Sequence, residues 1–308
     1  MKVQSNITLS GKYKFLITNT RNNTTRVVDW FSNLITNQGL DKIGEGVSNL
    51  LDNCRVGTGS STPTEVDTGL ESPLGNFVSA KIEDDVFGSL NVTPYYGWVR
   101  RQYVFPANTI VGNLTEISIN WGSSNSTAFS RSLIKENNNP ITLTILEDEI
   151  LTVVYELRLV PNLEDVNRTI SVNNTAHNIV TRAALLGNPS HWGNKLGVDS
   201  IESGMSNQTG LTYYNGYIGS KFEQPNGSSA SPLLTSPEMV AIPYVLGTYY
   251  KDYIFSCNAA SCNLEGGIRS IMWNLGGGHG KYQSQFDPPL PKSLEMTLKL
   301  TMRISWGR

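Results

Sequence analysis

Reactive residue types are scarce in this chain. Among 308 residues there are three cysteines and three histidines, only 16% are charged, and the formal net charge is -2. Without a basic excess no field gathers a phosphate backbone, so nucleic-acid binding lacks its main affinity source. No run of 18 apolar residues occurs, and Met1 to Ser10 has no apolar stretch of signal-peptide type. The expectation is a soluble chain with no membrane insertion and no Sec export. The N-x-[ST] triplets, such as Asn6-Ile7-Thr8, would matter only in a eukaryotic secretory pathway.

The cysteines, Cys54, Cys257 and Cys262, are odd in number and lack paired C-x-x-C spacing, which argues against structural zinc. Cys257 and Cys262 would close a small loop if oxidised, but a chain made in a cytoplasm is expected to keep them reduced. His177, His191 and His279 lie in no H-E-x-x-H motif, and no G-x-S-x-G elbow is present. No catalytic residue, metal or cofactor is therefore expected. His177 reads as structural.

Two glycine-rich stretches invite a phosphate reading. "CRVGTGSSTPTEVDTGL", Cys54 to Leu70, has the glycines and hydroxyls of a phosphate loop but no lysine after them, and that lysine is what neutralises the β and γ phosphates. It reads as a turn-rich connection. Gly276 to Gly280 lacks G-x-G-x-x-G spacing and an opening helix, so it reads as a wide hairpin. Glu83-Asp84-Asp85 and Glu147-Asp148-Glu149 would supply calcium ligands or a glycosidase pair only if they converged in space; otherwise they face solvent.

What the chain does have is Asn, Thr, Ser and Gly, a mix that favours strands and turns. Leu151 to Arg158, Met296 to Ile304, Ile117 to Trp121 and Ile141 to Ile145 alternate apolar and polar, the period of half-buried strands. In Met296 to Ile304 the core side would hold Met296, Leu298, Leu300, Met302 and Ile304. "YVFPANTIVGNL" from Tyr103 lies over "YIFSCNAASCNL" from Tyr253 at an offset of 150, with Trp121 over Trp273 and Arg158 over Arg303 at shifted offsets. This predicts an all-β chain of two tandem, duplicated, jelly-roll-like β-sandwich domains, residues 1–160 and 161–308. Chance similarity between strand-rich halves is the alternative. A short helix is expected near the N-terminus, over Val27 to Ile43, where apolar residues recur at three and four, with Gly39 or Gly44 ending it. Ala176 to Leu186 would be its weaker counterpart.

Tyrosines concentrate in "GLTYYNGYIG", with Tyr213, Tyr214 and Tyr217, and again at Tyr249 and Tyr250. A partly exposed cluster of this kind serves protein interfaces or sugar contacts; the other reading is core filling.

The stretches "DWFSNLITNQGLDKIGEG", "CRVGTGSSTPTEVDTGLES", "FPANTIVGNLTEISINWGSSNSTAFSRSLI", "ILEDEILTVVYELR" and "PPLPKSLEMTLKLTMRISWGR" resemble, in order and spacing over most of the chain, a family of tailed-bacteriophage virion proteins. There a W-F-x-N-L-[IL] helix leads into G-T-G-[ST]-x-x-P, then G-N-[IL]-[ST]-E-[IV] and F-S-R-[AS]-L-I. The resemblance implies a non-enzymatic tail, tail-fibre, neck or head-decorating component, made in the bacterial cytoplasm and residing in the virion. Its partners would be other virion proteins and copies of itself. A receptor- or glycan-binding adhesin is the alternative, with a host surface glycan as partner and Tyr213, Tyr214 and Tyr217 stacking on sugars. A glycan-cleaving enzyme using the acidic clusters is a third. The chain departs from the family pattern at Cys257 to Cys262 and in the Asn-, Ser- and Gly-rich region from Leu196 to Ser236.

Overall fold

Lysine, glutamine, asparagine, threonine and serine, with one leucine, Leu16, alternate with Val3, Ser5, Ile7, Leu9, Gly11, Tyr13, Phe15 and Ile17 along the first strand, β1 (Lys2–Asn19), and every residue of the second set is buried. A side-chain period of two therefore gives one long strand with a single core face. A computed structural model of the chain describes residues 2–47, 49–90, 92–192, 211–230, 239–275 and 279–308.

After β1 come β2 (Thr25–Ser32), β3 (Leu34–Ile35), helix α1 (Asn37–Glu45), β4 (Asn53–Gly57), β5 (Pro73–Ser79), β6 (Lys81–Leu90) and β7 (Tyr96–Phe105). Then follow β8 (Gly112–Leu114), β9 (Glu116–Asn120), β10 (Ala128–Leu133), β11 (Lys135–Glu136), β12 (Asn139–Pro140), β13 (Leu143–Ile145) and β14 (Glu149–Pro161). The rest of the chain forms β15 (Val166–Val172), β16 (Thr175–Ala184), the single turn α2 (Pro189–Trp192), β17 (Leu211–Tyr214), β18 (Ser229–Ala230) and β19 (Met239–Ala241). It ends with β20 (Tyr250–Cys257), β21 (Ile268–Leu275), β22 (His279–Leu290) and β23 (Leu298–Gly307). The chain is all-β in class.

The main sheet runs β19-β20-β23-β1-β14-β7-β6, with β2 paired to β1. β1 is its shared member. Residues 2–8 pair in parallel with β23, residues 7–19 pair antiparallel with β14, and residues 12–18 take β2 on the edge that β23 has left. A second sheet, β3-β10-β9-β4-β5, covers one end of the inner face: the Tyr13 hydroxyl lies 2.9 Å from Ser130 Oγ, and Tyr103 donates to the Leu51 carbonyl at 2.6 Å. A third, β15-β16-β22-β21-β17-β18, covers the other end, where Tyr282 donates to the Asn6 carbonyl at 3.1 Å. Buried side chains of both halves form one connected core, from Val3 and Tyr13 through Phe255 to Trp306. Each large apolar side chain removed from water there contributes roughly 1.5–3 kcal/mol.

The helix falls later than expected. Val27 to Ser32 is strand, with Val28 and Phe31 buried against β1, so the W-F-x-N-L segment is extended and only residues from Asn37 onward are helical. Val27, Val28, Trp30 and Phe31 favour a pleated surface, and pairing with β1 overrides a helical spacing that arises in part by coincidence. Thr36 caps α1, accepting from Gly39 N at 3.0 Å while donating to the Ala128 carbonyl at 2.7 Å. Gly46, with φ 71°, ends it. Gly39 and Gly44 lie inside the helix, where a side chain would strike the Phe129 carbonyl and the Tyr244 ring. Ala176 to Leu186 is not helical either: most of it is β16, between β15 and β22.

Two smaller expectations also change. Met296 precedes β23 in a turn and is half-buried, as is Leu298, so the core side starts at Leu300, Met302 and Ile304. Pairing sets Phe105 opposite Leu151 and Tyr103 opposite Val153, and likewise Phe255 opposite Leu300 and Tyr253 opposite Met302. By that register Arg303 corresponds to Val154, not to Arg158.

The C-terminal half clasps α1. Trp306 Nε1 donates to the Leu40 carbonyl at 2.9 Å and Lys251 Nζ to the Gly44 carbonyl at 3.2 Å, and Asp41 accepts from Tyr244 Oη at 2.6 Å and Gly247 N at 2.7 Å. Burial lowers the Lys251 amine below its ordinary value.

Ile7 is buried on the core face of β1, so Ile7→Ala will cost about 2–5 kcal/mol in urea unfolding. Its outward neighbour Thr8→Ala will stay within about 0.5 kcal/mol.

Candidate functional site

Strands β9 and β10 are buried along their whole length, so both of their faces are covered. The main sheet covers one face. The other carries Glu116 and Arg131, and the Thr58 to Ser72 segment closes over them. Arg131 Nε and Nη2 donate to Glu116 Oε2 at 3.0 and 2.8 Å, Nη1 to Asp67 Oδ2 at 2.6 Å, and Nη2 also to Ser61 Oγ at 2.9 Å. Glu116 accepts in addition from the backbone N–H groups of Gly59 at 3.0 Å, Ser72 at 2.8 Å and Glu71 at 3.1 Å. Glu71 in turn accepts from Ser60 N and Ser61 N, both at 2.8 Å.

The loop that resembles a phosphate cradle thus does bind anions, and the anions are the chain's own carboxylates. Buried charges persist only when paired and hydrogen-bonded, and Glu116 and Arg131, 0% and 3% exposed, meet that condition through each other and the loop. Gly59 is fixed by the same contact, since a Cβ there would sit 2.5 Å from Glu116 Oε1. Asn125 completes the closure, accepting from Leu70 N at 3.1 Å and donating to the Leu70 carbonyl at 2.9 Å. Burial by itself would raise Asp67, but bonds from Thr64 and the Arg131 guanidinium hold its carboxyl below the usual range.

A polar depression of about 590 Å³ lies beside this hub, lined by Ser61, Asp67, Glu71, Asn125 and Arg131 among others. All three guanidinium nitrogens of Arg131 already donate within the protein. The arrangement is suited to holding the loop down.

The five tyrosines singled out in the sequence do not form one surface. Tyr213 and Tyr214, in β17, are buried at 0% and 6% exposure, so they fill the core and offer no contact. Tyr217 is 54% exposed with the Arg269 guanidinium 4.5 Å from its ring centroid. Tyr249 is half-buried beside Tyr244. Tyr250 lies on the outer face of the main sheet, where Arg303 stacks on it at 3.2 Å and pairs with Asp252 at 2.7 Å. Its counterpart on that face is Arg100, 4.3 Å from the Trp98 ring centroid and 2.6 Å from Glu156.

The remaining candidates disperse as well. Asp148 pairs with Arg21 at 3.0 Å and Glu149 with Arg26 at 2.9 Å, both at a turn. The side chains of Glu83, Asp84 and Asp85, and residues 276–278 of the glycine-rich stretch, lie outside the described residues. His177 is buried, with Nδ1 2.6 Å from the Pro288 carbonyl. Among the described residues no three His, Cys, Asp or Glu side chains come together as metal ligands, and no helix is long and apolar enough to cross a membrane. The Glu116–Arg131 pair escapes sequence reasoning, although its signal is present: one Glu in "NLTEISIN" and one Arg in "FSRSLI", inside otherwise buried strands.

Glu116→Ala leaves Arg131 Nε and three backbone N–H groups without their acceptor and should cost about 3–5 kcal/mol in chemical denaturation. Asp67, Glu149 and Asp252 are all held below their ordinary values, so their stabilisation is complete above the unfolded carboxyl value. His191, held below its ordinary value by burial, takes some stability away as pH falls through about 6.5, while the contribution of the three carboxylates to the denaturation midpoint will be constant down to about pH 4 and fall below it, as protonation reaches the depressed folded values. Asp67→Asn will flatten that fall. Comparison with protein-family models, with curated proteins and with solved structures finds no match.

Proposed function

We propose that this chain is a non-enzymatic structural component of a bacteriophage virion, a tail, tail-fibre or neck protein that assembles as a homo-oligomer from a twice-used β unit. The observation that carries the reading is where the family-like stretches meet. The G-T-G segment, Glu116 and Arg131 come from separate stretches of the sequence and converge on one buried, fully bonded hub. They are joined as architecture, with their polar groups turned on each other and away from any substrate.

Assembly needs an apolar surface to bury, and among the described residues one stands exposed in β19, the last strand of the main sheet, and in the turn after it. Val240, Ile242, Val245 and Leu246 are 46%, 38%, 64% and 65% exposed there, close together in sequence. An edge strand with apolar neighbours is a template for pairing with another chain, and a symmetric array multiplies such modest contacts. The related register of β7–β14 and β20–β23 supports the duplicated unit.

A second reading, a receptor- or glycan-binding adhesin or capsid decoration, draws on Tyr217 and Phe222. These are 54% and 53% exposed, and Phe222 meets Tyr95 edge-on at 5.6 Å.

Sedimentation of the purified full chain should show a closed oligomer, and Val245→Lys with Leu246→Lys should reduce it to monomer. Mass spectrometry of phage particles from the same source should find the chain in the virion. A wild-type monomer that binds host polysaccharide and loses it on Tyr217→Ala would replace this reading with the adhesin.

A further inference from the structure

We propose that Cys257 and Cys262 are a disulfide-forming pair, a covalent modification site that closes the β20–β21 connection when the chain meets a small-molecule disulfide. The proposal does not depend on the virion reading. The two sulfurs lie 3.0 Å apart, and both residues are buried, at 0% and 5% exposure. A disulfide needs about 2.05 Å between the sulfurs, so closure asks for roughly one ångström of movement. A shared tetrahedral metal with thiolate bonds of about 2.3 Å would hold its two sulfurs nearly 4 Å apart, so the observed spacing favours a bond between the sulfurs over a metal between them.

The intervening turn is built to hold this approach. Asn258 Oδ1 accepts from Ala260 N and Ser261 N, both at 3.0 Å, and Asn263 Nδ2 donates to the Ala259 carbonyl at 2.7 Å. Cys262 takes a left-handed backbone, φ 59°, which turns its side chain back towards β20. Lys292, itself buried, donates to the Ala259 carbonyl at 3.2 Å, Asn263 Oδ1 at 2.8 Å and the Ser293 carbonyl at 2.9 Å, pinning the turn to the segment before β23. A bond here would close the first turn of the crossover from β20 in the main sheet to β21 in the third sheet.

The chemistry is thiol–disulfide exchange. Cys262, the less buried of the two, loses its proton and attacks one sulfur of the oxidant, whose S–S bond breaks to release one thiolate. Cys257 then loses its proton and attacks Cys262 Sγ in the mixed disulfide, forming Sγ–Sγ and releasing the second thiolate. The two protons go to the two released thiolates. Overall the dithiol gives up two electrons and the oxidant becomes two thiols. Until that second step Cys257 keeps its proton, because its hydrogen bond with Cys262 and then its burial raise its pKa.

The test is to purify the full chain under reductant, remove the reductant, expose the folded protein to oxidised glutathione, quench in acid, denature and alkylate. The three thiols of the starting protein should fall to one, at Cys54. Peptide mapping should show Cys257 joined to Cys262, with the intact mass lower by two hydrogens and the chain still a single species. Three alkylatable thiols after treatment, or glutathione retained on either cysteine, would overturn the proposal. In Cys262→Ser the linked species should disappear; a Cys54–Cys257 bond in its place would also overturn it. If that variant does not fold, the wild-type map decides alone.

Discussion

The alternation of buried and outward residues along β1, from Lys2 to Thr18, is the constraint on which the remaining architecture depends. A strand slipped by one residue would turn Val3, Ile7, Leu9, Tyr13, Phe15 and Ile17 to solvent together, so its register is fixed by the summed burial of a whole face. With that register set, β1 offers one edge to β14 and divides the other between β23 and β2. The second and third sheets then cover the two ends of one inner face, and the two halves of the chain share a core.

Charge has a structural role in what is built on that frame. Arg131 and Glu116 would be costly in the interior if either stood alone, yet together with Asp67 and the loop N–H groups they bind the Thr58 to Ser72 segment over β9 and β10. Polar bonds also fasten α1 to the C-terminal half through Asp41, Lys251 and Trp306. On the outer face of the main sheet, Glu156 sits between Arg100 and Arg158, and Asp252 between Lys2 and Arg303. Tryptophan and tyrosine rings pack against these cations, so the face is braced by contacts that water screens only partly.

These placements bear on how surface and interior divide the work. The polar groups that look reactive in sequence, such as the Gly- and Thr-rich loop and the Glu147 to Glu149 triplet, are absorbed into closures and turns. Exposed apolar and aromatic side chains include Val240, Ile242, Val245 and Leu246 in and after β19, and Tyr217 and Phe222. At the crossover after β20, two sulfurs, Cys257 and Cys262, lie within 3.0 Å of each other.

The sequence by itself determined the strand class, because period two is a local property: Leu300, Met302 and Ile304 face inward as their spacing requires, and β14 runs where Leu151 to Arg158 alternates. Local spacing misled at Val27 to Ser32 and at Ala176 to Leu186, where helical recurrence yielded to strand partners: β1, the other arm of a hairpin, and β22, about a hundred residues along the chain. It also could not separate Tyr213 and Tyr214, which are buried, from Tyr217, which is exposed, because neighbouring tyrosines differ only in what covers them. Only the tertiary structure decided that Gly59, Glu116 and Arg131 meet, and that Cys257 and Cys262 lie sulfur to sulfur. Hydrogen bonds and sulfur contacts act over about 3 Å, and which groups come within that distance is set by the folding of distant strands onto one another.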